Sequence, residues 1–120
     1  MYTPLCGVGG AALEAACSRA GISSPIRVDS QFKPDGSFPG LPFPNPEEKG
    51  ALAEAFKTAD RSNVNLVLAN DPDADRLAVA VRTKDGWNQL SGDELGLLLC
   101  DHQLKTTSGK AVSYTHLRVH

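Results

Sequence analysis

The sequence predicts an α/β fold: a three-layer α/β/α domain with a mixed sheet of about four strands and helices on both faces. Two short apolar runs, residues 64–69 and 77–81, have the length and composition of buried strands. Amphipathic segments with helical spacing lie between and beside these runs. A chain of 120 residues, 41% of them hydrophobic, suits one domain with a modest core.

The first quarter of the chain predicts a strand end, a helix and a short strand. Residues 1–5 resemble the last residues of a strand whose beginning is missing, so we expect an N-terminally truncated domain. The glycines of residues 7–10 open a helix that Gly21 ends. Residues 26–28 then form a short strand. The apolar residues on one face of the helix are Leu13, Ala16, Cys17 and Ala20.

A proline-rich connection separates this part from the next helix. Residues 30–46 contain five prolines and two glycines, so they cannot be a central strand. Asn45 is placed to cap a helix whose first residue is Pro46, and Glu48 would complete a capping box. We therefore predict a helix from Pro46 whose apolar stripe consists of Ala51, Leu52, Ala55, Phe56 and Ala59.

The second half predicts three strands and a closing helix. Residues 64–69 are apolar on both faces apart from one position, as expected of a central strand, and residues 77–81 form the next strand. A turn leads into a short strand at residues 87–90. Ser91 and Glu94 then form a second capping box. The closing helix should turn inward Leu95, Leu98 and Leu99.

Three carboxylates recur at every second position after the central strand: Asp71, Asp73 and Asp75. In an extended loop this spacing turns them to one side. At about 5 Å apart each pair would repel by roughly 3 kcal/mol at an effective dielectric constant near 20, so a cation is needed. An EF-hand is excluded because Arg76 and Arg82 occupy the positions of its essential Gly and Glu. The sequence favours a divalent metal site over the alternative, a solvated acidic turn.

The glycine-rich turn offers a competing function. Gly7 and Gly9 with Ala12 satisfy a loose dinucleotide-binding fingerprint, and Asp29 ends the short strand near the distance of a ribose-binding carboxylate. Against this, the preceding strand is short and the chain continues into proline-rich sequence. The same glycines would equally permit a tight turn and close packing.

Composition limits the partners and the compartment. A net charge of −2 without a Lys/Arg run argues against nucleic acid and against an anionic membrane surface. No apolar run has membrane-spanning length and no signal peptide is evident. Cys6, Cys17 and Cys100 lack the spacing of a disulfide framework, so free thiols are expected. We therefore expect an intracellular, cytoplasmic protein.

Four ordered segments carry a family resemblance: residues 3–10, 43–48, 70–77 and 91–96. Together they resemble the signatures of the second, magnesium-binding domain of the α-D-phosphohexomutases. The run 69–80 is most similar to the phosphoglucomutase/phosphopentomutase and glucose-1,6-bisphosphate synthase branch. Residues 1–105 would be this domain. After residue 105 the pattern dissolves, so residues 106–120 are a tail. Its last run, residues 113–120, does not resemble the family's continuation and looks like a translated cloning adapter.

The resemblance implies a function and a site. Enzymes of this family are isomerases that move a phosphoryl group between two positions of a sugar, such as glucose 1-phosphate or ribose 1-phosphate, through a phosphoserine and a bisphosphorylated intermediate. The matching aspartates, Asp71, Asp73 and Asp75, would hold Mg²⁺, and Arg76 would lie beside the phosphate. No serine here lies in a Thr-Ala-Ser-His catalytic loop. We therefore expect the chain alone to be inactive.

Overall fold

The computed structural model describes residues 1–106, and these form a four-stranded mixed sheet. The strands are β1 (Tyr2–Thr3), β2 (Leu66–Asn70), β3 (Leu77–Thr83) and β4 (Gly86–Gln89), and they lie in that order across the sheet. β1 is parallel to β2, whereas β2 and β3, and β3 and β4, are antiparallel. The predicted mixed sheet of about four strands is confirmed.

Four helices complete the described part of the chain. They are α1 (Gly9–Ala20), α2 (Asp29–Phe32), α3 (Ala53–Arg61) and α4 (Gly92–Thr106). Gly21 ends α1 in the left-handed conformation with φ 66°, as predicted. With the mixed sheet, these helices confirm the α/β fold class. Among residues 1–106 we find no helix with the length and apolar character needed to span a membrane.

One face of the sheet carries the main core. The strand register pairs Val67 with Ala80 and Ala69 with Ala78, so these four small, buried side chains share a face. Ala55 and Ala59 of α3 are completely buried, and both belong to the same cluster as Val67. Small residues on both elements allow the helix to approach the strands closely.

The indole of Trp87 packs α3 against the β3–β4 hairpin. Its ring stacks on Phe56 with centroids 5.0 Å apart, and its Nε1–H donates to Asp60 Oδ1 at 2.9 Å. The guanidinium of Arg82 pairs with the same carboxylate and lies over the indole. α3 is thus held by both apolar and polar contacts to the strands that follow the central one.

The other face of the sheet carries the start of α1. Tyr2 pairs with Leu68, which alternates with Val67 and therefore points to the opposite face. A Cβ at Gly9 would lie 2.8 Å from the Tyr2 hydroxyl, and one at Gly10 would lie 2.9 Å from the Phe32 ring. Both glycines are buried, so the helix begins in direct contact with β1. Helices therefore lie on both faces of the sheet, as predicted.

The predicted start of α3 is wrong. The helix begins at Ala53, not at Pro46, and residues 46–52 form turns instead. Asn45 Oδ1 accepts the Glu47 amide at 3.0 Å in a local turn. Gly50 has a φ of 90°, which no helix residue adopts, so the run cannot be continuous. The predicted apolar stripe nevertheless packs inward, because Ala51, Leu52, Ala55 and Ala59 are buried and Phe56 is partly buried.

The predicted inward faces of α1 and α4 are largely exposed. Leu98 and Leu99 are 57% and 53% exposed, and α4 has no buried residue. Ala16 and Ala20 of α1 are exposed as well. Periodicity identifies the face that a helix could bury, but within residues 1–106 no element covers these faces.

The predicted capping box of α4 is confirmed. The Ser91 amide donates to Glu94 Oε2 at 2.8 Å, and the Glu94 amide donates to Ser91 Oγ at 3.2 Å.

The predicted strand at residues 26–28 is reduced to one bridge. Tyr2 donates its amide to the Ile26 carbonyl at 2.8 Å, and Val28 donates to the Tyr2 carbonyl at 3.0 Å, which makes a single parallel pairing at Arg27. Asp29 begins α2 instead of ending a strand. Apart from this turn of helix, the connection up to residue 46 is irregular, as predicted.

Candidate metal centre

The loop of residues 71–76 joins β2 to β3 at the edge of the sheet where β1 and β2 both end. Asn70 and Leu77 form the last pair of the antiparallel ladder, so the loop leaves and re-enters adjacent strands. One carboxylate oxygen from each of Asp71, Asp73 and Asp75 lies within 4.8 Å of the other two. The structure thus brings together the three aspartates that the sequence singled out, and their role as metal ligands stays a prediction.

A tight turn gives the loop its shape. The Ala74 amide donates to the Asp71 carbonyl at 3.0 Å, and Ala74 adopts a left-handed φ of 62°. Pro72 has a fixed φ and biases the preceding residue toward extended conformations. Because the loop turns at Ala74 and alternates before it, the carboxylates converge instead of pointing along a straight strand.

Asp71 is the fixed member of the three. It is 1% exposed and accepts two hydrogen bonds from Arg76, from the backbone amide at 3.0 Å and from Nε at 2.7 Å. Burial acts to raise the pKa of this carboxyl, but the hydrogen bonds from the Arg76 side chain and backbone outweigh it, so its pKa lies below the ordinary value of 3.8. Asp71 is therefore ionised and oriented before any ligand arrives.

Asp73 and Asp75 are both exposed, and they place further negative charge next to Asp71. The pKa of Asp75 is raised above 3.8 because it shares a hydrogen bond with Asp71 and faces the charges of Asp73 and Asp71, against a smaller opposing effect of Arg76. Ionisation of all three carboxyl groups is therefore unfavourable in the absence of a cation. A bound cation would offset the repulsion between them.

Arg76 connects the loop to the segment before α3. Its Nε contacts Asp71 and lies 3.6 Å from Asp75, and its Nη1 donates to Asn45 Oδ1 at 3.3 Å. The hydrogen bond with Asp71 raises the pKa of the guanidinium, which stays charged. Half of the side chain remains exposed. The predicted contact of Arg76 with a phosphate stays a prediction.

Two open clefts border Arg76. One of about 420 Å³ is lined by the segment 43–45 together with Asp71 and Asp73. The other, of about 470 Å³, lies between residues 46–47, the start of β3 and the N-terminus of α4. Arg76 lines both, so its exposed fork faces space that a ligand with oxygen atoms could enter.

The donor set fits a hard divalent ion. Three carboxylates within 4.8 Å of one another offer only oxygen ligands, which suit Mg²⁺, Mn²⁺ or Ca²⁺. No cysteine or histidine joins the cluster within residues 1–106, so nothing there favours a soft metal. Three protein ligands also leave coordination positions for water or for a ligand oxygen, as is usual for Mg²⁺.

Sequence reasoning missed two residues that hold the loop. Asn70 Nδ2 donates to the Arg76 carbonyl at 2.5 Å, and the Tyr2 hydroxyl donates to Asn70 Oδ1 at 2.9 Å. The only local signal was an amide side chain directly after an apolar strand. Tyr2 lies 68 residues away in the sequence, and its contribution depends on the pairing of β1 with β2.

The dinucleotide hypothesis is not supported by the surroundings of the glycines. A Cβ at Gly7 would lie 2.3 Å from the Cα and the carbonyl oxygen of Pro72, so the backbone there is already in close contact with the aspartate loop. The Val8 amide donates to the Pro72 carbonyl at 2.9 Å and is not free to bind a phosphate. Asp29 begins a one-turn helix and does not follow a strand of the sheet.

Comparison with a protein-family model matches residues 1–86. The matching family is described as phosphoglucomutase/phosphomannomutase, alpha/beta/alpha domain II. The match spans more than half of the chain and includes the strands β1 to β3 and the aspartate loop between them. The comparison with solved structures gives no significant match.

Several curated proteins are similar to the chain. A probable phosphomannomutase of Haemophilus influenzae is 47% identical over 111 residues, which cover 92% of this chain and 23% of that protein. Human phosphopentomutase is 46% identical over 101 residues, covering 82% of the chain and 16% of the relative. A phosphoglucomutase of Staphylococcus aureus is 38% identical over 82 residues, covering 68% and 15%. The chain thus spans less than a quarter of the length of these relatives.

Proposed function

Because the chain belongs to the phosphoglucomutase/phosphomannomutase family, the α-D-phosphohexomutases, we propose that residues 1–105 are the magnesium-binding second domain of a phosphosugar mutase. Such an enzyme is an isomerase that transfers a phosphoryl group within one sugar phosphate. The predicted tail, residues 106–120, lies outside the described residues except for Thr106, the last residue of α4.

The observation that carries the proposal is the convergence of Asp71, Asp73 and Asp75 at the end of the central strand. The donor chemistry supports a hard divalent ion, and the two clefts beside Arg76 supply room for a phosphorylated ligand. Ligand sites in open α/β sheets tend to lie at strand ends. The position and the chemistry of the loop therefore support the same function.

The three aspartates and Arg76 would have different roles in binding the metal and the phosphate. Asp71 supplies a buried carboxylate whose orientation the two Arg76 hydrogen bonds fix. Asp73 and Asp75 are exposed and can adjust to an arriving ion. The Mg²⁺ that these three carboxylates would hold would supply neutralisation of charge and orientation for a phosphoryl group. Arg76 would add a planar donor fork for phosphate oxygens on the exposed side of its guanidinium.

The substrates and the whole reaction belong to the proposal as well. The names of the relatives point to phosphorylated hexoses and pentoses, so we infer a substrate of the glucose 1-phosphate or ribose 1-phosphate class, with a phosphoserine and a bisphosphate intermediate. That serine is not in this chain, and the chain alone should not turn over substrate. Cys6, Cys17 and Cys100 are free thiols, which supports a reducing, cytoplasmic location.

Calorimetric titration of the chain with Mg²⁺ or Mn²⁺ tests the metal site. We expect binding heat in the native chain and none in Asp73→Asn, which keeps the size of the side chain and removes a charged ligand. Asp85→Asn, a substitution on the β3–β4 turn, is the matched control and should leave the heat unchanged. Absence of heat from a chain that circular dichroism shows to be folded would refute metal binding by this domain.

A further inference from the structure

The aspartate loop rests on the glycine-rich turn before α1. Two residues alternate with the aspartates, Pro72 and Ala74, and both face this turn. The Pro72 backbone lies against Gly7, where a Cβ would come within 2.3 Å of it. The Pro72 carbonyl also accepts the Val8 amide at 2.9 Å. The loop is therefore held at its first alternate residue by both a close backbone approach and a hydrogen bond.

The second alternate residue lies against the first residue of α1. A Cβ added to Gly9 would be 3.1 Å from the Cβ of Ala74 and 3.6 Å from Asn70 Oδ1. The space between α1 and the loop is thus filled by the methyl group of Ala74. Ala74 is also the residue whose left-handed φ turns the loop, so the turn itself lies against α1.

A third attachment holds the far end of the loop. The side chain of Asn70 donates to the Arg76 carbonyl, and its own orientation is fixed by the hydroxyl of Tyr2, a residue that is 1% exposed. The Arg76 amide in turn donates to Asp71 Oδ1. A continuous set of hydrogen bonds thus runs from the buried strand β1 to the buried carboxylate.

From these contacts we propose that residues 7–9, with Tyr2 and Asn70, form a positioning platform that sets the geometry of the three carboxylates before a cation binds. The inference rests on the proposed function for the identity of the ligand. The platform orients Asp71, Asp73 and Asp75 by fixing the residues between and beside them, and it touches no ligand itself. It also gives the glycines of this turn a structural reason that does not depend on nucleotide binding.

Gly9→Ala is the main test, because it adds one methyl group that would lie 2.8 Å from the Tyr2 hydroxyl and 3.1 Å from the Ala74 Cβ, both of them contacts of the platform. Alanine is a better helix residue than glycine, so a turn that only begins a helix would lose nothing. Gly96→Ala is the matched control: it adds the same methyl to α4, where no atom of residues 1–106 outside the helix's own backbone lies within 4 Å. Tyr2→Phe is the second variant, and it removes only the hydroxyl that orients Asn70.

Amide hydrogen exchange of the metal-free chain gives the first measurement. We expect Gly9→Ala to speed exchange by about tenfold or more at Val8, Ala74 and Arg76, whose amides hold the loop, and not in β4. Tyr2→Phe should speed exchange at Arg76 alone among these three. Unchanged exchange in Gly9→Ala would overturn the proposal, and if that variant fails to fold, unchanged exchange at Arg76 in Tyr2→Phe would do so.

Mn²⁺ affinity gives the second measurement. Residues that orient metal ligands typically change affinity by about 10- to 100-fold when replaced, so we expect Gly9→Ala to weaken Mn²⁺ by at least about tenfold and Gly96→Ala to leave it unchanged. Faster exchange with unaltered affinity would overturn the positioning role. A native chain that binds no Mn²⁺ would instead refute the proposed function, and the exchange data would still decide whether the platform holds the loop.

Discussion

Replacing Asp71 by asparagine should destabilise the metal-free chain, whereas replacing Asp73 should not. Both substitutions remove one negative charge from the same cluster and preserve the shape of the side chain. Asp71 is buried and accepts two hydrogen bonds from Arg76, whereas Asp73 is exposed. The two variants therefore separate the structural use of a carboxylate from its use as a ligand.

The magnitude follows from the contacts of Asp71. An asparagine can keep one acceptor oxygen but must turn its amide nitrogen toward another donor of Arg76, so one hydrogen bond to a charged group is lost. Such bonds contribute roughly 1.5–3 kcal/mol, and the lower half applies because water can reach the half-exposed partner. We expect Asp71→Asn to lower the free energy of unfolding by about 2 kcal/mol. For a domain of this size that is a fall of about 8 °C in the melting temperature.

Thermal or urea unfolding of both variants can be followed by the fluorescence of Trp87 of β4, which stacks on Phe56 of α3. Asp73→Asn should be as stable as the native chain or more stable, because it removes repulsion between carboxylates and leaves both Arg76 hydrogen bonds to Asp71 intact. Neither variant should bind Mg²⁺ with native affinity. Equal losses of stability in the two variants, or a more stable Asp71→Asn, would refute the reasoning.

Three other outcomes are expected. Lowering the pH from about 6 to about 4 should weaken Mn²⁺ binding, measured calorimetrically, because protons compete for Asp75, whose pKa is raised; pH-independent affinity would contradict this. Gly21→Ala should cost about 1 kcal/mol in urea unfolding since φ there is 66°, and an unchanged midpoint would argue against the left-handed cap. Ser91→Ala should likewise cost about 1 kcal/mol by breaking the bond to the Glu94 amide, with fraying of α4 seen by circular dichroism.

The parts of the fold and site that could be predicted from sequence are those that depend on neighbouring residues. The capping box at Ser91 and the stop at Gly21 each need only a few adjacent positions, and the structure places both as predicted. The three aspartates do come together, but through a turn at Ala74 and not in the expected extended loop. The sheet could be predicted because apolar strands and turn residues alternate clearly between residues 64 and 90.

The remaining features depend on contacts across the fold. The helix expected from Pro46 is interrupted because Gly50 adopts a left-handed φ, and local capping residues do not reveal this. The leucines of α4 have helical spacing, yet nothing within residues 1–106 covers Leu98 and Leu99. The attachment of the aspartate loop needs Tyr2, which reaches Asn70 only after β1 and β2 have paired.

The most direct test of a preset cation site in the loop 71–76 is paramagnetic line broadening by Mn²⁺ in the amide spectrum of the chain. The account predicts that substoichiometric Mn²⁺ broadens first the amides of residues 71–76 and 7–9, leaves the C-terminal half of α4 sharp, and is displaced by excess Mg²⁺. Broadening centred on another acidic segment, such as Glu47 and Glu48, or spread evenly over the surface would contradict the account.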